Sequence, residues 1–229
     1  MFPTQFTRKL IRGRLALKGL VQEAWNCYKE TMTAIINHLR ILKTELIRKS
    51  IHFLIALCPL MAAINRPLTQ AVLLTGILAY ICFESLRLRG IRVPLVSSLT
   101  ALASRPRDQG HFVLGPVTLG TGAFLALSLF PPEAASIAIY ALAFGDGFAS
   151  LIGKPFGRIR PALLFGKSLE GSLACFFAVL IASWRVCRNF PVCLTAAFIA
   201  SAVEALPLEG FDNMAMPLAV GLVVQAILI

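Results

Sequence analysis

Long uncharged and mostly apolar stretches dominate the chain. A helix that crosses a bilayer needs about 20 such residues, and the windows 67–83, 112–132 and 213–229 contain no Asp, Glu, Lys or Arg. Four other windows approach that length if each takes in one ionisable residue near an end. This pattern predicts about seven transmembrane helices. We place them at residues 48–65, 67–86, 111–130, 133–152, 168–186, 190–206 and 212–229.

The first 50 residues follow a different pattern, in which basic and apolar side chains alternate. Apolar residues recur there at helical spacing, for example at Ile35, Leu39, Leu42 and Leu46. A basic amphipathic helix of this kind is typical of a membrane interface. We therefore predict a basic interfacial leader over residues 1–44 and a membrane-embedded catalytic bundle over residues 45–229. For residues 1–20, a poorly ordered leader is an equal alternative.

The composition excludes most other classes of protein. Hydrophobic residues make up 57% of the 229 residues and charged residues 14%, against about 25% charged residues in a soluble domain. A soluble protein of this size cannot bury so much apolar surface in one core, and the same surplus excludes a disordered chain. The predicted fold class is therefore all-α, a polytopic membrane helix bundle. The six Cys residues form no CxxC or Cys/His cluster, so neither a disulfide framework nor a zinc site is expected.

Basic residues are concentrated on one predicted side of the bundle. Lys and Arg number 22 against 11 Asp and Glu, which gives a formal net charge of +11. The positive-inside rule places the N-terminus in the cytoplasm and the C-terminus outside. The cytoplasmic segments are then 1–48, 87–110, 153–167 and 207–211. Because the basic leader runs into apolar helices, we expect it to meet the lipid bilayer and not a nucleic acid.

Acidic and polar side chains gather at the predicted inner ends of the helices. They are His52, Glu84, Asp146, Glu170, Glu204, Asp212 and Asn213. Ionisable groups are costly in a bilayer and are candidates for function, although charges where water begins would explain any single one. Such end decoration favours Lys and Arg on the inner side. Several carboxylates opposite a ring of bases instead indicate a divalent cation that holds phosphates, as Mg²⁺ does with one or two carboxylates.

Two glycine-containing motifs add detail to this picture. Asp146 is flanked by Gly145 and Gly147, which allow a ligand or a neighbouring backbone to approach closely. Lys167 and Ser168 stand directly before a predicted helix. Ser168 suits the N-cap position, and a helix N-terminus beside a lysine favours an anion.

A third group of polar residues shares one helical face. Glu45, Arg48, Lys49 and His52 follow the spacing i, i+3, i+4 and i+7. Two interpretations stay open, namely steering of a phosphate or a hydroxyl proton, and a simple Glu45–Lys49 pair with His52 at the interface. Glu84 and Arg87 are interpreted as a structural pair.

Together these segments resemble the CTP-dependent lipid-alcohol kinases, the group that contains dolichol kinase, phytol kinase and yeast-type diacylglycerol kinase. This group lies within the wider phosphatidate cytidylyltransferase-like superfamily, and the similarity covers residues 45–217. It is carried by Glu45-x-x-Arg48-Lys49-x-x-His52, Gly145-Asp146-Gly147-x-Ala149 through Gly157, Gly166-Lys167-Ser168-x-Glu170-Gly171, and Glu204-x-x-Pro207 followed by Asp212-Asn213.

The resemblance implies phosphoryl transfer from CTP to the hydroxyl of a lipid alcohol (a polyprenol such as dolichol, phytol or diacylglycerol), with Mg²⁺ as cofactor and a cytoplasmic active site. The implied metal ligands are Asp146, Asp212 and Glu170. The implied catalytic residues are Asp146, Glu170, Glu204 and His52. The implied nucleotide and phosphate contacts are Lys154, Lys167, Ser168, Arg158, Arg48, Lys49 and Asn213.

Two other functions remain open from the sequence. One is cytidylyl transfer to phosphatidate, which makes CDP-diacylglycerol. The region from Glu204 to Pro217 lacks the His element of that family, which favours the kinase. The other is an ion- or proton-coupled transporter, whose carboxylates would follow a path across the membrane. The acids here are expected at one level only, which also favours the kinase.

Overall fold

The computed structural model describes residues 5–91, 110–208 and 210–228, and all regular structure in these ranges is helical, as predicted. The helices are α1 (Gln5–Phe53), α2 (Cys58–Leu88), α3 (Gly115–Leu129), α4 (Pro132–Tyr140), α5 (Gly147–Phe156), α6 (Leu169–Cys187), α7 (Phe190–Ala205) and α8 (Asp212–Leu228). A π-helical segment over Ala141–Asp146 joins α4 to α5. Residues 1–4 and most of the predicted cytoplasmic segment 87–110 lie outside the described residues.

The chain divides into two compact units, residues 1–43 and residues 44–229. The first unit is helical over its described residues. Its Trp25 and Tyr28 rings stack 5.7 Å apart, and Lys29 lies over the Trp25 ring. The position of this unit at a membrane interface stays a prediction. The second unit contains every candidate site residue.

The predicted helix at 48–65 is divided in the structure. α1 ends at Phe53, a 3₁₀ turn follows over Leu54–Leu57, and α2 begins at Cys58. Pro59 lies in the first turn of α2, where its missing N–H removes no helical hydrogen bond. The apolar window was visible in the sequence, but this proline fixes where the new helix begins.

A bend in α2 marks the predicted junction before residue 67. Asn65 departs from helical geometry (φ −152°, ψ 97°), and Pro67 follows it inside the helix. The side-chain oxygen of Asn65 accepts a hydrogen bond from the backbone N–H of Leu68 at 3.0 Å. Because proline cannot donate, this side-chain bond takes over part of the backbone pairing at the bend.

The continuous run from Pro132 to Phe156 forms the centre of the second unit, and α3, α6, α7 and α8 pack around it. Its enclosed side chains are Ala134, Ala135, Ile137, Ala138, Ile139, Ala141, Leu142 and Ala143, each at most 1% exposed. Small side chains such as alanine let neighbouring helices approach closely. The core therefore lies along this run, with Asp146 near its middle.

Large apolar side chains face outward on the surrounding helices. On α6, Leu173, Phe177 and Ile181 are 47%, 55% and 63% exposed and lie one turn apart. Among the described residues, three helical runs are long and apolar enough to cross a bilayer, namely Gln22–Leu88, Pro132–Phe156 and Leu169–Cys187. These features support a membrane protein. The number of seven spans and their orientation stay predictions.

Close packing between α3 and α8 gives a first test of the fold. A Cβ on Gly122 would lie 2.1 Å from the backbone oxygen of Asn213, so we expect Gly122→Ala to force the two helices apart. Overpacking of this kind costs about 1–3 kcal/mol. The unfolding midpoint of the detergent-solubilised protein should fall. Gly76→Ala is the matched control, because a Cβ there meets nothing within 4 Å, and its midpoint should be equal or higher. Equal midpoints for both variants would contradict this packing.

Candidate functional site

Asp146 is a buried carboxylate at the end of the π-helical segment, with 6% of its surface exposed. Lys49, on α1, donates a hydrogen bond to Oδ2 of Asp146 and forms an ion pair with it. His52 Nε2 lies 3.3 Å from the same oxygen. This nitrogen also lies 2.9 Å from the backbone oxygen of Leu142. Because a carbonyl oxygen only accepts, the proton of this contact belongs to Nε2.

An aromatic contact places the end of α1 over Asp146. The ring of Phe53 packs against Gly147, where a Cβ would lie 2.3 Å from a ring carbon. The rings of Phe144 and Phe148 lie 5.9 Å and 5.4 Å from that of Phe53. A side chain at position 147 would displace the Phe53 ring. The glycine after Asp146 therefore leaves room for an aromatic ring, whereas the approach of a ligand there stays a prediction.

Glu45 links the same face of α1 to α5. Its carboxylate accepts a hydrogen bond from Lys154 and another from Arg48, the latter at 2.6 Å. Glu45 and Lys49 thus have different principal partners, Lys154 with Arg48 for the first and Asp146 for the second. Nη1 of Arg48 is the buried side-chain polar atom without a hydrogen-bond partner among the described residues. We call this set, Glu45, Arg48, Lys49, His52, Asp146 and Lys154, the α1 charge cluster.

The two glycine motifs meet where α5 crosses the start of α6. A Cβ on Gly153 would lie 2.8 Å from Oγ of Ser168 and 3.1 Å from Cα of Gly171. Oγ of Ser168 accepts a hydrogen bond from N of Gly171 at 3.1 Å, so Ser168 is the N-cap of α6 as predicted. Lys154 and Lys167 directly follow and precede the residues in contact. This crossing therefore connects the α1 charge cluster with a second group of charges.

That second group consists of Lys167, Glu204 and Ser172. Nζ of Lys167 donates to Oε1 of Glu204 at 2.7 Å and to the backbone oxygen of the same residue at 2.8 Å. Oγ of Ser172 donates to Oε2 of Glu204 at 3.3 Å. Glu204 is 6% exposed, so its buried carboxylate relies on the positive charge of Lys167 and on the hydrogen bond from Ser172.

Glu170, Asp212 and Asn213 form their hydrogen bonds with residues outside both groups. Glu170 accepts hydrogen bonds from the backbone N–H groups of Arg158 and Ile159, at 2.9 Å and 3.2 Å, and so holds the loop after α5. Oδ1 of Asp212 accepts the N–H of Asn213, at the start of α8. The side-chain amide of Asn213 donates to Oγ1 of Thr118 on α3 at 3.0 Å.

The described residues do not form a ready-made metal site. Within the part of the chain that the structure describes, no three His, Cys, Asp or Glu side chains come together as a possible metal site. Asp146 and the start of α8 are nevertheless neighbours. The sulfur of Met216, one turn after Asp212, lies 3.5 Å from where a Cβ on Gly145 would stand.

Glu84 and Arg87 form a pair outside the candidate site. Two hydrogen bonds of 2.7 Å join the guanidinium of Arg87 to the carboxylate of Glu84. Oε1 of Glu84 also accepts the backbone N–H of Val113 at 2.9 Å. This contact fixes the end of α2 to the segment before α3, in line with the structural interpretation of the pair.

The sequence indicated the polar face of α1 but missed two features of the site. Glu45 was interpreted only as part of the motif or as a partner of Lys49, whereas it binds both Lys154 and Arg48. Ser172 was not recognised at all. Glu45 could have been found from its position one turn before Lys49 and two turns before His52. Its partner Lys154 could not, because their contact depends on how α1 and α5 cross and not on the spacing of residues along either helix.

The buried ion pair of Lys49 and Asp146 predicts strong coupling between the two residues. Their side chains are 3% and 9% exposed, and loss of one partner from such a pair costs about 3–5 kcal/mol because the other charge stays buried. We expect Lys49→Met to lower the free energy of unfolding in detergent more than Lys49→Met with Asp146→Asn does. Lys49→Met combined with Glu133→Gln, far from this pair, should show additive losses. Additive losses for Lys49 and Asp146 would show that the pair is not formed.

Comparison with curated proteins yields several relatives, while no family model and no solved structure matches the chain. A phytol kinase of Synechocystis is 29% identical over 160 residues, which cover 66% of this chain and 67% of the relative. The CTP-dependent diacylglycerol kinase 1 of Schizosaccharomyces pombe is 29% identical over 113 residues, 42% of this chain and 52% of that protein. The enzyme of the same name in Saccharomyces cerevisiae is 27% identical over 147 residues, 63% of this chain and 51% of that protein.

The chain thus spans about two thirds of the phytol kinase and about half of the two fungal enzymes. These relatives carry the names of the group that the motifs resemble, and the resemblance is confirmed.

Proposed function

The chain is homologous to phytol kinase and to CTP-dependent diacylglycerol kinases, and from this premise we propose that it transfers a phosphoryl group from CTP to the hydroxyl of a lipid alcohol. The proposed acceptors are a polyprenol such as dolichol, phytol and diacylglycerol. The proposed site opens to the cytoplasm for the nucleotide and to the bilayer for the lipid tail.

The α1 charge cluster is the observation that carries this proposal. Buried ion pairs stabilise a fold no better than apolar side chains of similar size, so a bundle does not need them for stability alone. Here Glu45, Lys49 and Asp146 are each at most 6% exposed within an otherwise apolar protein. A polyanionic substrate would explain such a cluster, because its basic side chains can exchange the carboxylates of Glu45 and Asp146 for phosphate oxygens.

Arg48 is proposed as the first phosphate contact. Its Nη1 is buried and has no partner among the described residues, while Nη2 is held by Glu45. A guanidinium held in this way presents a fixed donor to an anion. Lys49 and Lys154 stand beside it, and Lys167 and the capped N-terminus of α6 lie across the Gly153–Ser168 contact. Arg158 and Asn213 are proposed as outer nucleotide contacts.

Mg²⁺ fits this donor set in the way that nucleotide enzymes use it. The ion is commonly held by one or two carboxylates together with substrate phosphates, and a ready-made cage of three acids is not required. Asp146 and Asp212 are the proposed ligands. Glu170 is the third candidate, although its carboxylate already accepts two backbone N–H groups. When bound, the ion would neutralise charge on the triphosphate.

The chain's own groups then supply positioning and charge stabilisation, which are the main needs of phosphoryl transfer. Lysine and arginine side chains hold the triphosphate against the hydroxyl of the lipid. Glu204 and His52 are the two candidates for accepting the proton of that hydroxyl. They differ in surroundings, since Glu204 faces Lys167 and Ser172, whereas His52 faces Asp146 and the oxygen of Leu142.

The deciding experiment incubates purified protein with labelled CTP or ATP and a panel of lipid alcohols, and separates the products. CDP and a phosphorylated lipid support the proposal. Pyrophosphate and a CDP-lipid from phosphatidate would establish the cytidylyltransferase instead. Solute flux in reconstituted vesicles without any nucleotide, and without product formation in the enzymatic assay, would establish a transporter.

Asp146→Asn tests the proposed centre of the site. We expect kcat to fall at least about 10²-fold, because removal of one preorganised electrostatic group commonly costs that much. The variant should still insert into membranes, since the apolar windows are unchanged, and kcat is referred to folded protein, because the substitution leaves buried Lys49 without its ion-pair partner. Glu133→Gln makes the same chemical change at an exposed position in the first turn of α4 and should keep full activity. A fully active Asp146→Asn enzyme would refute the role given to Asp146.

Lys167→Ala tests the proposed phosphate contact on the far side of the crossing. We expect the KM for CTP to rise roughly tenfold or more, as loss of a charge-assisted hydrogen bond costs about 1.5–3 kcal/mol. The KM for the lipid should change less. Arg185→Ala, in the last turn of α6 and so at the opposite end of the helix that Lys167 precedes, is the matched control and should leave both constants unchanged. An equal rise of both constants in Lys167→Ala would argue for a general loss of structure.

A further inference from the structure

Two cysteine side chains meet at the turn between α6 and α7. Cys187 is the last residue of α6, and Cys193 lies in the first turn of α7. Their sulfur atoms are 3.4 Å apart, which is contact distance for two thiols. The turn between the helices consists of Arg188 and Asn189. This pair lies at the end of α6 opposite to Ser168 and has no part in the proposed kinase site.

The backbone of the turn holds the two sulfur atoms together. Arg188 adopts a left-handed conformation (φ 49°), which reverses the chain directly after Cys187. The side-chain oxygen of Asn189 caps α7 by accepting the N–H of Val192, and its backbone oxygen accepts the N–H of Cys193 at 3.0 Å. The capped helical turn therefore brings the two cysteine residues close together along the backbone.

The two thiols differ in access. Cys193 is fully buried, whereas Cys187 is partly exposed at the end of its helix. In thiol–disulfide exchange, the accessible sulfur reacts first with the oxidant and the enclosed sulfur then resolves the mixed disulfide. This arrangement suits that order of events.

We propose that Cys187 and Cys193 are a dithiol site that forms a reversible intramolecular disulfide with a small-molecule disulfide as the oxidant. The thiolate of Cys187 attacks the oxidant, forms a mixed disulfide and releases one thiolate. Cys193 then loses its proton and attacks the sulfur of Cys187, which expels the second thiolate. Two protein thiols are thereby oxidised, and one external disulfide is reduced to two thiols.

The link would join α6 and α7 at a defined place. At the opposite end of these helices, Lys167 and Glu204 already form an ion pair of 2.7 Å. With the disulfide in place, the two helices are connected at both ends. The proposal is independent of the kinase activity, because none of the residues assigned to nucleotide or lipid takes part in it.

The chain offers a direct peptide-mapping test. Full-length protein in detergent is reduced, treated with oxidised glutathione, alkylated at its remaining thiols and digested with trypsin without reductant. Cleavage after Arg185 and Arg188 separates the two cysteines onto peptides 186–188 and 189–229. We expect mass spectrometry to find these two peptides linked, and reductant to release them. Exposed Cys27 and Cys82 should carry glutathione or the alkylating group and no internal link.

Single variants check the order of the steps. Cys193→Ser should accumulate glutathione on Cys187, because no second thiol can resolve the mixed disulfide. Cys187→Ser should leave Cys193 unmodified. The proposal is overturned if the oxidised wild-type protein shows both peptides unlinked, or if Cys193 becomes linked to a cysteine other than Cys187.

Discussion

The ion pair between Lys49 and Asp146 is an electrostatic constraint inside an apolar bundle. Both side chains are almost completely buried, at 3% and 9% exposure, and either charge without its partner would be strongly unfavourable there. Their attraction therefore fixes the end of α1 against the middle of the central helical run. Glu45, Arg48 and His52 share the face of Lys49, so they are brought to the same place by the same contact.

Glycine then extends this arrangement to a second group of charges. Gly153 and Gly171 let α5 and α6 approach until Ser168 fits between them. The basic residues on either side of this contact, Lys154 and Lys167, are bound to Glu45 and Glu204 respectively. Close backbone packing thus brings the two ion pairs near each other, as the binding of a long polyanion such as a nucleoside triphosphate by both would require.

Much of this could be predicted from sequence because membrane helices leave strong local signals. Apolar windows located the helices, and the rarity of charges in them singled out His52, Asp146 and Glu204, while Lys49 was found from its spacing on one helical face. The partners across helices could not be predicted in the same way. Lys154 meets Glu45 and Lys167 meets Glu204 through helix crossings, which depend on the whole fold and not on spacing along one helix. Glu170 shows the opposite case, since its position in a motif suggested a metal ligand while its carboxylate binds two backbone N–H groups of the preceding loop.

The chemistry that fits these groups is the binding of phosphates by fixed bases next to a buried carboxylate. The most direct measurement is an experimental structure of the full chain with Mg²⁺ and a non-hydrolysable CTP analogue. We expect the triphosphate against Nη1 of Arg48 and Nζ of Lys154, with its outer end close to Asp146. A triphosphate bound elsewhere, with Lys49 and Asp146 still enclosed and out of its reach, would contradict this assignment of the site.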